Sequence, residues 1–191
     1  EGRNDSKRKN VHKYDHVMNR QREIIYNQRA EALNGEDLHE NILKMIDDLV
    51  KNMVNTYLAD DDDRSEWNMA GLREYFMGWL ITDEDLVFEG NELEETSKED
   101  IISALTDKAK EIYQAKEDDY GKDIIRELER VILLKVVDTK WMAHIDDMEE
   151  LKKGIGLRAF GQKNPADEYR FEGFEMFDAM IDSICEDTVR M

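Results

Sequence analysis

The chain has one cysteine, Cys185, and one proline, Pro165, among 191 residues. A lone cysteine excludes an internal disulfide and fits a reducing compartment without establishing one. Glycine and tryptophan are also scarce, at 10 and 3 residues. β-Branched residues gather in only a few short runs, so the usual material of a β-sheet is missing. No apolar stretch approaches the ~18 residues that suggest a membrane-spanning helix. No secretory leader is visible, and the chain opens EGRNDSKRKN rather than with methionine. That opening reads as a piece of a longer protein. No phosphate-binding loop is present either, because Gly154-Ile155-Gly156 lacks both the third glycine and a preceding strand.

What remains is rich in Met, Glu, Asp, Lys and Leu, most of them straight-chain residues that keep rotamer freedom in a helix. The composition predicts an all-α fold. Its net charge of -19 is unevenly spread: +4 over residues 1–29, -18 over 30–125 and -5 over 126–191. The acidic middle would repel nucleic acid and anionic lipid headgroups, which argues against both as partners of that section.

Apolar residues recur in steps of three and four from Val11 through Tyr14, Val17/Met18 and Ile25, and again from Leu38 to Met53, as on one face of a helix. Asn34-Gly35 interrupts the stripe, which leaves two helices or one long kinked helix. Asp60–Asp63 is a second interruption, since four like charges repel. Trp67 to Ile81 predicts a short aromatic helix with Leu72, Tyr75, Phe76 and Trp79 on one face. Ser97 and Asp100 form a capping box that starts another helix, ending near Tyr120-Gly121. A long helix is expected over about 122–158, with contacts on more than one side along Val131–Val137 (VILLKVV). Asn164 caps a return helix with Pro165 at its first position. The short connection makes the last two helices an antiparallel hairpin. Tyr169, Phe171, Phe174 and Phe177 are expected to pack against the outgoing helix.

Few of these residues suggest bond chemistry. His12 and His16 share a helix face at i,i+4, but no Cys or Glu completes a metal site and Asp15 lies on another face. Solvated or packing roles fit them better. His144 sits beside Trp141 and Met148 as a packing residue first and a partner contact second. Asp146-Asp147 and Glu149-Glu150 read as solvated faces, with nothing around them to raise a pKa. Cys185 reads as a small, partly buried residue. Phe160 stands apart, an aromatic ring in a polar turn between Arg158 and Lys163. It either folds back as a lid or contacts a ligand or an extended polypeptide.

Three stretches carry a resemblance to a known family. They are YDHVMNRQREIIYNQR within residues 1–29, VVDTKWMAHIDDMEELKKGIGLRAFGQ over 137–162, and NPADEYRFEGFEMF in the return over 163–184. Together they resemble the C-terminal helical region of SecA, the bacterial motor that drives preproteins through the SecYEG channel. The resemblance implies an all-α architecture: a long scaffold helix over 1–53, a helical wing insert over 54–125, and a second scaffold part over 126–191 with a two-helix finger. It favours a continuous first helix. It implies that the finger tip, about 157–164, touches the channel and the moving unfolded preprotein through Leu157, Arg158, Phe160, Gly161, Gln162 and Lys163. The family's characteristic tip residue is tyrosine, so Phe160 keeps the ring and loses the hydroxyl. It further implies a motor-facing scaffold surface that includes Tyr14, Met18, Arg22, Trp141, His144 and Met148.

On the same grounds the piece is non-catalytic and holds no cofactor. ATP and Mg would belong to motor domains preceding residue 1. The parent would be cytoplasmic and peripherally attached to the inner face of the plasma membrane. Isolation would expose surfaces that pack on the motor, and pairing of two pieces would then be an artefact. The alternative from the residues alone is a helical adaptor, a protein-interaction module without a transport role.

Overall fold

The computed structural model describes residues 2–34, 38–59, 64–89, 91–158 and 164–191. Among these the chain is helical, with one isolated Met77–Ile81 bridge in place of strands. In order, the elements are α1 (Gly2–Asn34), α2 (Leu38–Tyr57), a 3-10 turn (Arg64–Glu66), α3 (Met69–Phe76), α4 (Glu92–Glu95), α5 (Lys98–Tyr120), α6 (Lys122–Arg158) and α7 (Pro165–Arg190). Two compact units result, Glu1–Glu36 with Arg130–Thr188 and Asp37–Glu129 with Val189–Met191. The interruptions read at Gly35 and at Asp60–Asp63 lie outside the described residues.

In the first unit, α7 returns antiparallel to α6. Two ion pairs set the direction: Arg158 with Glu172 at 2.7 Å near the turn, and Lys140 with Asp187 at 2.8 Å at the far end. Asn164 caps α7 as the sequence suggests, its side-chain oxygen accepting from the Ala166 amide at 3.1 Å. The inward stripe of α7 is Tyr169, Gly173, Phe177, Met180, Ile184 and Thr188, in steps of four and three. Phe171 and Phe174 do not join it, contrary to the sequence expectation. At 3.6 residues per turn Phe171 lies about 200° round from Tyr169, and Phe174 about 100° from Gly173. Their side chains are accordingly 67% and 65% exposed.

Gly173 faces Met148 of α6 with no room for a side chain. A Cβ there would lie 2.7 Å from Met148 Cε. Met148, Leu151, Ile155 and Tyr169 form a buried cluster, and Tyr14, Val17 and Met18 of α1 pack against it. The VILLKVV run contributes mostly to this unit's interior. Leu133, Val136 and Val137 are buried, and Val131 alone is half exposed among them. Ile132 and Leu134 are half-buried and Lys135 is exposed, so the run is covered over more than one side but not all round.

In the second unit, α2 buries Leu38, Ile42, Ile46, Leu49, Val50 and Val54 and packs against α3 and α5. The aromatic segment forms a shorter helix than its pattern suggests. α3 stops at Phe76, and Gly78 at φ 83° turns the chain where a side chain would be strained. Leu72 and Phe76 are fully buried, while Tyr75 and Trp79 lie half-buried beside them. The guanidinium of Arg190 sits 5.3 Å from the Tyr75 ring and 5.2 Å from the Trp79 ring. The Ser97–Asp100 capping box is present, with both reciprocal bonds made. α5 ends at Gly121, at φ 93°.

Candidate functional site

α6 and α7 form a hairpin with α1 laid against it, and the candidate residues lie at its two levels. At the turn, Leu157 is 80% exposed, and Arg158 is held to α7 by Glu172. Phe160, Gly161, Gln162 and Lys163, the other tip residues, lie outside the described residues.

Further down the hairpin, the six scaffold residues divide by environment. Trp141, His144 and Met148 are buried among helices of this same unit. Tyr14 and Met18 are half-buried on α1 and pack against the Met148 cluster. The Tyr14 ring meets the Tyr169 ring edge-on at 4.6 Å, and Lys152 Nζ lies 5.6 Å from the Tyr14 ring. Burial pushes the Tyr169 hydroxyl up to about 12, so this ring stays neutral through the physiological range. Arg22 is half-buried and donates to Asn19 Oδ1 at 3.2 Å, one turn away on α1. All but Arg22, whose contact stays within α1, therefore join α1 to the hairpin. The outward face of the unit consists of other residues, chiefly Tyr26, Leu33, Met142, Phe171 and Phe174, each half exposed or more.

Two contacts missed by the sequence reading bind α1 to the hairpin. Arg29 makes a two-pronged bond to Asp138, Nε to Oδ1 at 2.9 Å and an NH group to Oδ2 at 3.2 Å. Gln21, buried on α1, donates to the Gly173 carbonyl at 3.1 Å, and its oxygen lies 2.7 Å from His144 Nε2. Burial lowers the His144 pKa and outweighs the opposing charge of Asp147, so the ring is neutral near pH 7. The signal for Gln21 was in the stripe itself. It stands three residues after Met18 and four before Ile25, a polar residue on an apolar face. Its partners, 123 and 152 residues away, had no local mark.

His12 and His16 line a shallow groove between α1 and α7 with Lys13, Val17, Ala166, Asp167 and Arg170. Among the described residues no three metal-ligating side chains converge, there or elsewhere. No helix among the described residues is long and apolar enough to cross a membrane. Cys185 is half-buried.

Among the described residues, a helical scaffold bearing an antiparallel hairpin, with a second helical unit inserted between its two chain segments, is the class this geometry defines. The model of the SecA Wing and Scaffold domain matches residues 1–191, and the chain belongs to that family. Protein translocase subunit SecA of Pelotomaculum thermopropionicum is 46% identical over 190 residues, covering 100% of this chain and 21% of the relative. The corresponding subunit of Acetivibrio thermocellus is 44% identical over 191 residues, with 100% and 21% covered. That of Finegoldia magna is 47% identical over 190 residues, with 100% and 20% covered. The chain thus spans about a fifth of the length of the curated relatives it matches.

Proposed function

We propose that this chain is the non-catalytic scaffold, wing and finger of an ATP-driven preprotein translocase motor. In this reading residues 1–53 and 126–191 act as scaffold and 54–125 as wing. The scaffold couples ATP-dependent movement of motor domains, where ATP and Mg would bind, to the hairpin. The hairpin tip, about 157–164, contacts the SecYEG channel and the unfolded preprotein. The parent would work from the cytoplasm, peripherally attached to the membrane.

The observation that carries this reading is the pairing of α6 and α7 into a hairpin whose last described residue pair before the turn is an exposed Leu157 and a tethered Arg158. A stiff hairpin with an apolar end suits contact with chains of any sequence, because apolar and aromatic contact does not depend on a fixed pattern of donors and acceptors. Phe160 would supply the ring. The half-exposed residues Tyr26, Leu33 and Met142 of α1 and α6 are the natural continuation of the motor-facing surface. The buried Trp141, His144 and Met148 would serve it from beneath.

The test is Phe160→Gly in the full-length protein, assayed with channel-containing membrane vesicles and a model preprotein. Translocation should be lost while basal ATP hydrolysis persists. Translocation at the unaltered rate would rule out the tip assignment.

A further inference from the structure

We propose that Gln21, His144 and the Gly173 carbonyl form a latch that fixes the register of α1 against the hairpin. Gln21 and His144 thereby act as positioning residues for the finger. The inference rests on the scaffold-and-finger reading above and adds the device that would make scaffold helix and finger move as one body.

The chain of hydrogen bonds has one consistent direction. The Gly173 carbonyl can only accept, so Gln21 turns its amide nitrogen toward it at 3.1 Å. The Gln21 oxygen must then accept, and the His144 Nε2 at 2.7 Å carries the proton. Three helices are joined by two bonds, α6 to α1 and α1 to α7. The imidazole is held between the Trp141 ring at 5.6 Å and the Phe177 ring at 5.7 Å. Gln21 and His144 are 6% and 3% exposed, so water cannot substitute for a lost partner.

The surroundings explain why such a device is needed. Around it the interface is mostly apolar, with Val17, Met18 and Ile25 on α1 and Met148, Phe177 and Met180 on the hairpin; the Arg29–Asp138 pair lies at its edge, 43% and 48% exposed, where an ion pair fixes register only weakly. Sliding α1 by one helical turn, ~5.4 Å, would re-form a comparable apolar interface. The same slide would strand the His144 N–H and the Gln21 amide in an apolar interior. A buried polar pair therefore penalises the shifted register far more than it stabilises the native one, as a single buried Asn does in a coiled coil. Gly173 is fitted to the same purpose. Its bare Cα permits the close approach that brings its carbonyl within reach of α1.

The experiment uses the full-length protein with channel-containing vesicles, in a background from which Cys185 and every other cysteine have been removed. The central variant is Gln21→Leu/His144→Leu, which replaces both partners by apolar groups of similar bulk. Register is read by cross-linking. Lys13 and Arg170 line the same groove, so Lys13→Cys/Arg170→Cys with a short bis-maleimide reports the native register. Lys13→Cys/Phe174→Cys reports a slide of about one turn.

The latch predicts a melting temperature within a few degrees of the parent's, appearance of the shifted cross-link, and roughly a tenfold fall in preprotein translocated per ATP. Native-only cross-linking and unaltered translocation per ATP would overturn it, leaving a polar pair that merely fills the core. If the double variant fails to fold, Gln21→Glu decides. It keeps an acceptor for His144 and removes the donor to Gly173, so the shifted cross-link should appear at partial yield. Its complete absence refutes the latch. Phe160→Gly run in parallel separates the two readings: a tip variant that also translocates normally defeats the finger reading itself, whereas a dead tip beside a normal double variant defeats only the latch.

Discussion

Glu129 offers the sharpest measurement on the second unit. Its carboxylate, 4% exposed, accepts at Oε1 from three side chains. They are His39 Nδ1 at 2.9 Å, Arg126 at 2.6 Å, and the Tyr113 hydroxyl. His39 comes from α2, Tyr113 from α5 and Arg126 from α6, so one oxygen ties three helices. Its other oxygen is buried without a hydrogen-bond partner among the described residues. Glu129→Ala removes the hub. Deleting one member of a buried charge pair costs about 3–5 kcal/mol. Two features reduce the figure here. Arg126 keeps Glu117 at 2.5 Å, and His39, 28% exposed, can turn to water. We expect a loss of about 2–4 kcal/mol, a large share of a stability of about 5–15 kcal/mol.

Glu129→Gln separates burial from pairing. Burial raises the Glu129 pKa, and the His39 contact only partly offsets it. A carboxyl with a raised folded-state pKa contributes stability that is fully present below its unfolded value, about 4.3, and lost as pH rises through the folded value. Wild type should therefore lose stability relative to Glu129→Gln as the pH rises through that interval, with a flat difference above it. Urea unfolding of the 191-residue chain, followed by far-UV circular dichroism from acid to neutral pH, measures both effects. A Glu129→Ala loss below about 1 kcal/mol would refute the hub, since even one unpaired buried donor should cost that much. A wild type that gains on the Gln variant with rising pH would show that pairing outweighs burial.

Phe171→Ser/Phe174→Ser should change stability by less than about 0.5 kcal/mol, because both rings face solvent and leave no cavity. A drop of many degrees in thermal melting would place those rings in the core after all. Ser97→Ala should cost about 1 kcal/mol through loss of the capping-box bond to the Asp100 amide. An unaltered urea midpoint would mean that α5 is held by packing alone.

The helical signals with local causes were readable in advance. The Ser97–Asp100 box, the Gly121 terminus and the Asn164-Pro165 start each depend on a few adjacent residues, and each is present in the fold. α3 was misjudged in length because the apolar pattern continues past Phe76, while Gly78 decides the backbone. Phe171 and Phe174 were misplaced because an aromatic-rich helix offers more apolar residues than one face can hold. Phase then decides which are buried, and Gly173, with no side chain to suggest burial, marks the inward stripe. The Gln21–His144 and Arg29–Asp138 contacts join residues more than a hundred positions apart. A single sequence carries no periodicity for such pairs. Phe160 stood out in the sequence as a ring in a polar turn, while its reading as a finger tip came from the family resemblance and lies outside the described residues.

The close approach at Gly173 has a consequence for how this sequence can change over time. Met148 Cε and Sδ would lie 2.7 and 3.3 Å from a Cβ at position 173, so the two positions draw on one shared volume. A methyl gained at 173 displaces the thioether end of Met148, which can swing aside at some cost in packing, a cost that a shorter side chain at 148 relieves. Related sequences should therefore vary at these two positions as a pair, the sum of their volumes holding steadier than either residue.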